Sequence, residues 1–81
     1  MKSENLRIAL VENSEPHIDM TFAASVTELL PRLLPPRLRQ KLDRRSINLP
    51  AIAAAARASD YAPGDLFRYE DGATVLRAWL E

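Results

Sequence analysis

Apolar and polar residues alternate in two stretches near the start of the chain. Within residues 6–11, and again within residues 18–23, apolar side chains recur at every second position. This period is typical of a strand with one buried face. The interval 13–16 (Asn-Ser-Glu-Pro) consists of turn-forming residues. The pattern therefore predicts an antiparallel hairpin.

The apolar spacing becomes helical after residue 24. Four leucines predict a first helix ending near residue 34, capped by Ser25 in a capping-box sequence or by Thr27. Pro31 is better tolerated if Thr27 is the cap, and the choice between Ser25 and Thr27 stays open. The pair Pro35-Pro36 ends this helix, because a residue before proline avoids the helical region. A second helix is predicted from Pro36 to about Arg45, and a third, capped by Asn48, from Leu49 to about Ala58.

The last segment reads as a second hairpin. Two apolar-rich stretches, residues 66–70 and 73–80, flank an Asp-Gly pair at 71–72. Asp-Gly supplies the positive φ angles of a type I′ turn, which joins antiparallel strands. Closure by these two residues would place Phe67 opposite Leu76.

The order of elements is therefore β-β-α-α-α-β-β. It predicts an α+β fold, in which two β-hairpins form an antiparallel sheet and two to three helices pack on one face. Residues 1–81, with a mass of 9.1 kDa, are expected to form a single small domain. Residues 1–5 precede the first periodic segment and are expected to be disordered.

Composition removes several kinds of chemistry. The chain has no cysteine, which excludes disulfides, thiolate zinc sites, iron–sulfur clusters and thiol catalysis. Its two glycines cannot form a phosphate-binding loop. The single histidine, His17, has only Glu15 and Asp19 nearby in sequence, so a surface histidine is favoured over a two-ligand site. We expect no enzyme activity, no cofactor and no metal.

The bulk charge of the chain is neutral. Eleven basic residues balance 11 acidic ones, which argues against nucleic acid or membrane as a general partner. The sequence contains no apolar run of the ~20 residues that span a bilayer. The first residues lack the apolar stretch of a signal peptide, so a cytoplasmic location is expected.

Several short strings match a known family. The chain resembles the small C-terminal module of SHOCT-like, YvlB-type bacterial proteins of largely unknown function, and the resemblance extends from about Leu6 to Glu81. It implies the same α+β fold and a bacterial regulatory or envelope-stress context. Ser46 stands where such modules often carry a glycine. The matching strings are Leu6-Arg7-Ile8, Leu38-Arg39-Gln40-Lys41-Leu42, Ile47-Asn48-Leu49, Glu70-Asp71-Gly72 and Trp79-Leu80-Glu81.

Alternation also predicts an apolar cluster on the side of the sheet away from the helices. The cluster comprises Val11, Leu66, Val75 and Trp79. Apolar residues gathered on a polar sheet face indicate contact with another chain or a second copy. Two alternatives remain open. Trp79 can instead wrap over a sheet edge and complete the core, and a one-residue error in sidedness would invert the faces.

Charge is segregated along the chain. Residues 32–45 carry six basic residues and one acidic residue, a local balance of +5. On the second helix, Arg37, Lys41, Arg44 and Arg45 recur at helical spacing and form a candidate anion-binding face. An ordinary solvated face, with cations favoured near a helix C-terminus, is the alternative. No aromatic residue interleaves with them, which argues against base stacking.

These observations predict a non-enzymatic interaction module. It would self-associate as a homodimer, or bind another protein, through the face of its sheet. The alternative is an electrostatic binder of nucleic acid or an anionic surface through residues 32–45.

Overall fold

A computed structural model, which describes residues 2–81, contains a four-stranded antiparallel sheet and a layer of helices. The α+β prediction, with its element order, is confirmed. None of the helices in the described residues is long and apolar enough to cross a bilayer. The elements are β1 (Asn5–Glu12), β2 (Glu15–Ala23), a 3-10 helix (Ala24–Leu29), α1 (Leu30–Leu33), α2 (Pro36–Arg44), α3 (Leu49–Ala58), β3 (Gly64–Asp71) and β4 (Thr74–Leu80).

The first and last strands join the two hairpins. The strand order is β2-β1-β4-β3, so β1 and β4 lie in the middle and β2 and β3 form the edges. Leu6 lies opposite Leu80, and Leu10 lies opposite Leu76. Because this central pairing joins segments far apart in sequence, no local pattern could specify it.

One face of the sheet carries the core. Side chains of β1, β3 and β4 that point to this inner face are buried, and helical side chains cover them. Ile18, Met20 and Phe22 of the edge strand β2 are partly buried against the same cluster. The buried sheet residues are Leu6, Ile8, Leu10, Phe67, Tyr69, Leu76, Ala78 and Leu80, and the helical ones include Leu30, Leu42, Leu49 and Ala56.

The β1–β2 turn is tighter than predicted. Asn13 and Ser14 alone connect the strands, with φ of 51° and 63°. Two successive positive φ values are the signature of a type I′ turn. Pro16, expected in the turn, instead lies in β2 at a bulge. An edge strand tolerates it because its missing N–H removes no ladder bond.

The register of the β3–β4 hairpin differs from the prediction. Asp71 pairs with Thr74, so the two central residues are Gly72 and Ala73 rather than Asp71 and Gly72. Only Gly72 has a positive φ, 59°, which corresponds to a type II′ turn. Tyr69 rather than Phe67 consequently lies opposite Leu76. The displacement is two residues, so the side chains from Phe67 to Asp71 keep their predicted faces.

The first predicted helix is divided. A 3-10 helix over Ala24–Leu29 precedes the single turn of α1, and Pro31 lies within that first turn. Neither proposed cap acts as one. Ser25 lies inside the 3-10 helix, and the Thr27 hydroxyl donates to the carbonyl of Ala24 at 2.7 Å. Pro31 has no N–H to continue an α-helix from residue 27, which explains the break.

The other two helices form as predicted. Helix α2 spans Pro36–Arg44 and α3 spans Leu49–Ala58. The side-chain oxygen of Asn48 accepts a hydrogen bond from the N–H of Ala51 at 3.1 Å, which caps α3. Ser46 adopts a φ of 61°, the left-handed conformation for which glycine is the usual residue.

The prediction that residues 1–5 are disordered is wrong for residues 3–5, which form backbone hydrogen bonds. Met1 lies outside the described residues. The N–H of Ser3 donates to the carbonyl of Tyr61 at 2.8 Å. The N–H groups of Glu4 and Asn5 donate to the carbonyl of Glu81. These bonds attach the segment to the end of β4 and to the chain that follows α3, so it is held by backbone pairing.

A hydrogen bond also secures the chain after α3. The hydroxyl of Tyr61 donates to a Glu28 carboxylate oxygen at 2.8 Å. This bond to a carboxylate, helped by partial burial, raises the pKa of Tyr61 above its ordinary value. It joins the α3–β3 connection to the 3-10 helix.

Candidate functional site

The face of the sheet opposite the helices, here called the outer face, contains most of the predicted cluster. Val11 of β1 pairs with Val75 of β4, and Trp79 lies further along β4 opposite Arg7. All four residues are half-buried. Since cross-strand partners share a face, Val11, Val75 and Trp79 all lie on the outer face, with the pair Ala9 and Arg77 between Trp79 and the two valines.

Leu66, the fourth residue of the predicted cluster, lies elsewhere. The β3–β4 pairing shifts between Asp65 and Phe67, so Leu66 occupies a β-bulge. An extra residue at a bulge breaks the alternation on which the prediction depended. Leu66 packs against the core and lines a crevice with Ile52 and Leu80. The assignment of Leu66 to the outer face was wrong.

Trp79 forms the centre of a stacked arrangement. The guanidinium carbons of Arg7 and Arg77 lie 5.6 Å and 5.1 Å from the centre of its ring. Both separations are within the range of cation–π attraction. Because β4 is an inner strand, Trp79 does not wrap over a sheet edge, and that alternative is excluded.

Carboxylates balance the two arginines of this stack. Arg7 pairs with Asp19 at 3.1 Å and with Glu81 at 2.9 Å. Hydrogen bonds from Arg7 to these carboxylates raise the pKa of its guanidinium, first through Asp19 and then through Glu81. Arg77 lies 3.5 Å from Asp65 of the edge strand β3. The outer face therefore carries one tryptophan beside two arginines, and each arginine is paired with at least one carboxylate.

The candidate anion-binding face differs from the rest of the surface in its ion pairing. Within residues 2–81, none of the six cations of segment 32–45 is within 4.0 Å of a carboxylate oxygen, whereas Lys2, Arg7, Arg57, Arg68 and Arg77 all are. Arg37, Lys41 and Arg44 are exposed on α2. Arg45 is separate from them, because its guanidinium lies over the ring of Tyr69 at 5.4 Å.

Among the described residues, the acidic side chain close to His17 is Glu12, rather than Glu15 or Asp19, which are nearer in sequence. Its Nε2 lies 3.9 Å from a carboxylate oxygen of Glu12, across the first hairpin. Both side chains are about half exposed. Among the described residues, no three histidine, aspartate or glutamate side chains are grouped as metal ligands would be. The arrangement is that of a solvated hairpin surface.

Two open grooves lie in the helical layer, a feature absent from the sequence-based prediction. Their volumes are about 510 and 620 Å³, and both are lined by Pro31 and Pro50. The larger groove is bounded by Glu28 and Arg57, which lie 3.6 Å apart. Apolar spacing alone cannot locate such grooves, because they arise where three helices diverge.

Sequence reasoning also missed the arginine–tryptophan stack. Alternation along β1 and β4 places Arg7 and Arg77 on the same face as Trp79 but predicts no contact with its ring. The contact of Arg7 with the ring requires the β1–β4 pairing, since Arg7 and Trp79 are far apart in sequence, whereas Arg77 lies two residues before Trp79 on β4. No family model, curated protein or solved structure matches this chain.

Proposed function

We propose that this chain is a non-enzymatic interaction module that binds a protein, another or a second copy of itself, through the outer face of its sheet. The observation that carries this proposal is the contact of Trp79 with both Arg7 and Arg77, on a face that no helix of residues 2–81 covers. Tryptophan and arginine are the residue types most enriched where interface binding energy is concentrated.

The surroundings of Trp79 also suit an interface. Val11 and Val75 add an apolar strip beside the stack. The salt bridges from Arg7 hold its guanidinium in one position, so little side-chain entropy remains to be lost on binding. The resemblance to the SHOCT-like, YvlB-type module suggests a bacterial regulatory or envelope-stress setting, and the absence of cysteine suits a reducing cytoplasm.

Site-specific photo-cross-linking in the native cells would test this proposal. A p-benzoylphenylalanine residue in place of Thr21, exposed on the outer face, should cross-link to a discrete protein band. The same residue in place of Ala51, exposed on α3, is the matched control and should not. Trp79→Ala in the first background should reduce the band by ~10-fold or more, since hot-spot truncation costs ~2 kcal/mol.

Circular dichroism of Trp79→Ala would establish that the fold survives. If residue 21 gave no discrete band, or residues 21 and 51 gave the same band, the outer face would not be the binding surface.

A second candidate function is electrostatic binding of nucleic acid or an anionic surface by α2. The unpaired cations of segment 32–45 favour it, because elsewhere in the described residues each lysine or arginine has a carboxylate partner. A cation that already contacts a carboxylate gains less from a phosphate. Arg37, Lys41 and Arg44 are therefore the contact residues we assign.

Filter binding across a salt series would measure this activity. Three phosphate contacts predict a slope of about −2 to −3 in the logarithm of affinity against the logarithm of salt concentration. Replacing Arg37, Lys41 and Arg44 by glutamine should abolish the slope. Replacing Arg57 and Arg68, which have carboxylate partners, by glutamine is the matched control and should leave it unchanged. An affinity independent of salt would exclude this function.

A further inference from the structure

The charges of the outer face follow a pattern across its four strands. Strand β2 presents Asp19 at one edge, and β3 presents Arg68 at the other, in the same row of the sheet. A row here means the residues paired side by side across the four strands. From β2 to β3, this row contains Asp19, Ala9, Arg77 and Arg68. Asp19 already pairs with Arg7, and Arg68 with Glu70, so a second protein adds less to each than it would to an unpaired charge. Asp19 and Arg68 are still 64% and 59% exposed, so both can reach a second protein.

We infer that the partner of the outer face is a second copy of this chain, packed face to face about a twofold axis parallel to the strands. This inference rests on the proposed function and names the occupant of the same face. A rotation of this kind places β2 over β3 of the second copy and β1 over β4, with each row kept level. Asp19 then lies opposite Arg68 of the second copy, and the reciprocal contact forms as well.

The other rows also match under this rotation. Val11 lies opposite Val75 of the second copy, which is an apolar contact. Arg7 lies opposite the second copy's Trp79, a cation facing an aromatic ring. Small Ala9 lies opposite the long side chain of Arg77, so the two surfaces can interdigitate. None of these opposed pairs brings like charges together.

The other twofold axis that lies between the two facing sheets is perpendicular to the strands, and it brings like charges together. Centred on the face, at the row that lies between the Arg7–Trp79 and Val11–Val75 pairs, it would place each strand over its own copy. It would then set Asp19 against Asp19, Arg77 against Arg77 and Arg68 against Arg68. Like charges directly opposed across an interface cost several kcal/mol. The charge pattern therefore selects the axis parallel to the strands.

The size of the face sets the strength of the association. With ~4.8 Å between strands and ~3.3 Å per residue, four strands of about seven residues cover roughly 440 Å². A standard interface buries ~800 Å² per partner, so this dimer is in the weak, reversible class. We expect a dissociation constant of order 10–100 µM.

Analytical ultracentrifugation of the full chain tests the inference. The wild type should change from monomer to dimer between about 1 µM and about 1 mM protein. Raising salt from ~0.1 M to ~1 M should weaken the dimer, because the Debye length falls from ~10 Å to ~3 Å. A wild type that stays monomeric throughout this range would overturn the inference.

Two charge reversals test the geometry. Asp19→Arg and Arg68→Asp should each weaken self-association by ~10-fold or more, because each sets like charges opposite one another twice. An equimolar mixture of the two variants should associate about 10-fold or more tightly than either variant alone, since both contacts of the mixed dimer then join opposite charges. Failure of the folded variants to associate in the mixture would overturn the proposed axis.

Asp43→Arg is the matched control. It makes the same change of charge on α2, in the helical layer, and should leave the dissociation constant unchanged. If it weakened the dimer as much as Asp19→Arg, the effect would be one of net charge and the inference would fail. If the wild type sedimented as a monomer while residue 21 cross-linked to a different protein, the proposed function would stand and only the dimer would be overturned.

Discussion

We expect Leu76→Ala to lower the melting temperature by about 15 °C or more, the largest effect of any substitution considered for this chain. Leu76 is completely buried and lies on an inner strand between Leu10 and Tyr69. Removing a buried leucine side chain costs ~3–5 kcal/mol, from lost burial and from the cavity that remains. A domain of this length has about 4–12 kcal/mol of stability in total, so much of it would be lost.

Thermal unfolding followed by circular dichroism would measure this change. Val75→Ala, one position earlier on the outer face, is the matched control and should cost about 1 kcal/mol or less, because Val75 is only half-buried. Equal losses for the two variants would mean that the faces of β4 are assigned wrongly.

We expect Gly72→Val to cost ~1–3 kcal/mol, or roughly 5–20 °C in melting temperature. Gly72 has a φ of 59°, which a β-branched residue resists. An added Cβ would meet no atom within 4 Å, so the cost comes from the backbone alone. Denaturant titration should show a lower midpoint with an unchanged slope.

The neighbouring residue supplies the control for this prediction. Ala73 is in the same turn and equally exposed, but its φ is not in the positive range. Ala73→Val introduces the same side chain and should change stability by less than ~0.5 kcal/mol. If both variants were equally destabilised, crowding at the turn rather than the φ of Gly72 would be responsible.

Part of the candidate site could be predicted from sequence. Regular alternation on β1 and β4 placed Val11, Val75 and Trp79 on one face, since period two leaves little choice once a strand is identified. Leu66 could not be placed in this way, because the bulge at Asp65–Phe67 depends on how β3 fits its neighbour. The contact of Arg7 with Trp79 depends on which strand lies beside β4.

The sequence by itself determined the elements of this protein and the fold class. Strand period, proline and asparagine signals, and helical spacing act over a few residues, so they could be recognised without the fold. The tertiary structure alone decided the strand order and the hairpin registers. It also decided that Arg7 lies beside Trp79. These features depend on contacts between distant segments, where packing of the whole core selects one arrangement among several that local energies allow.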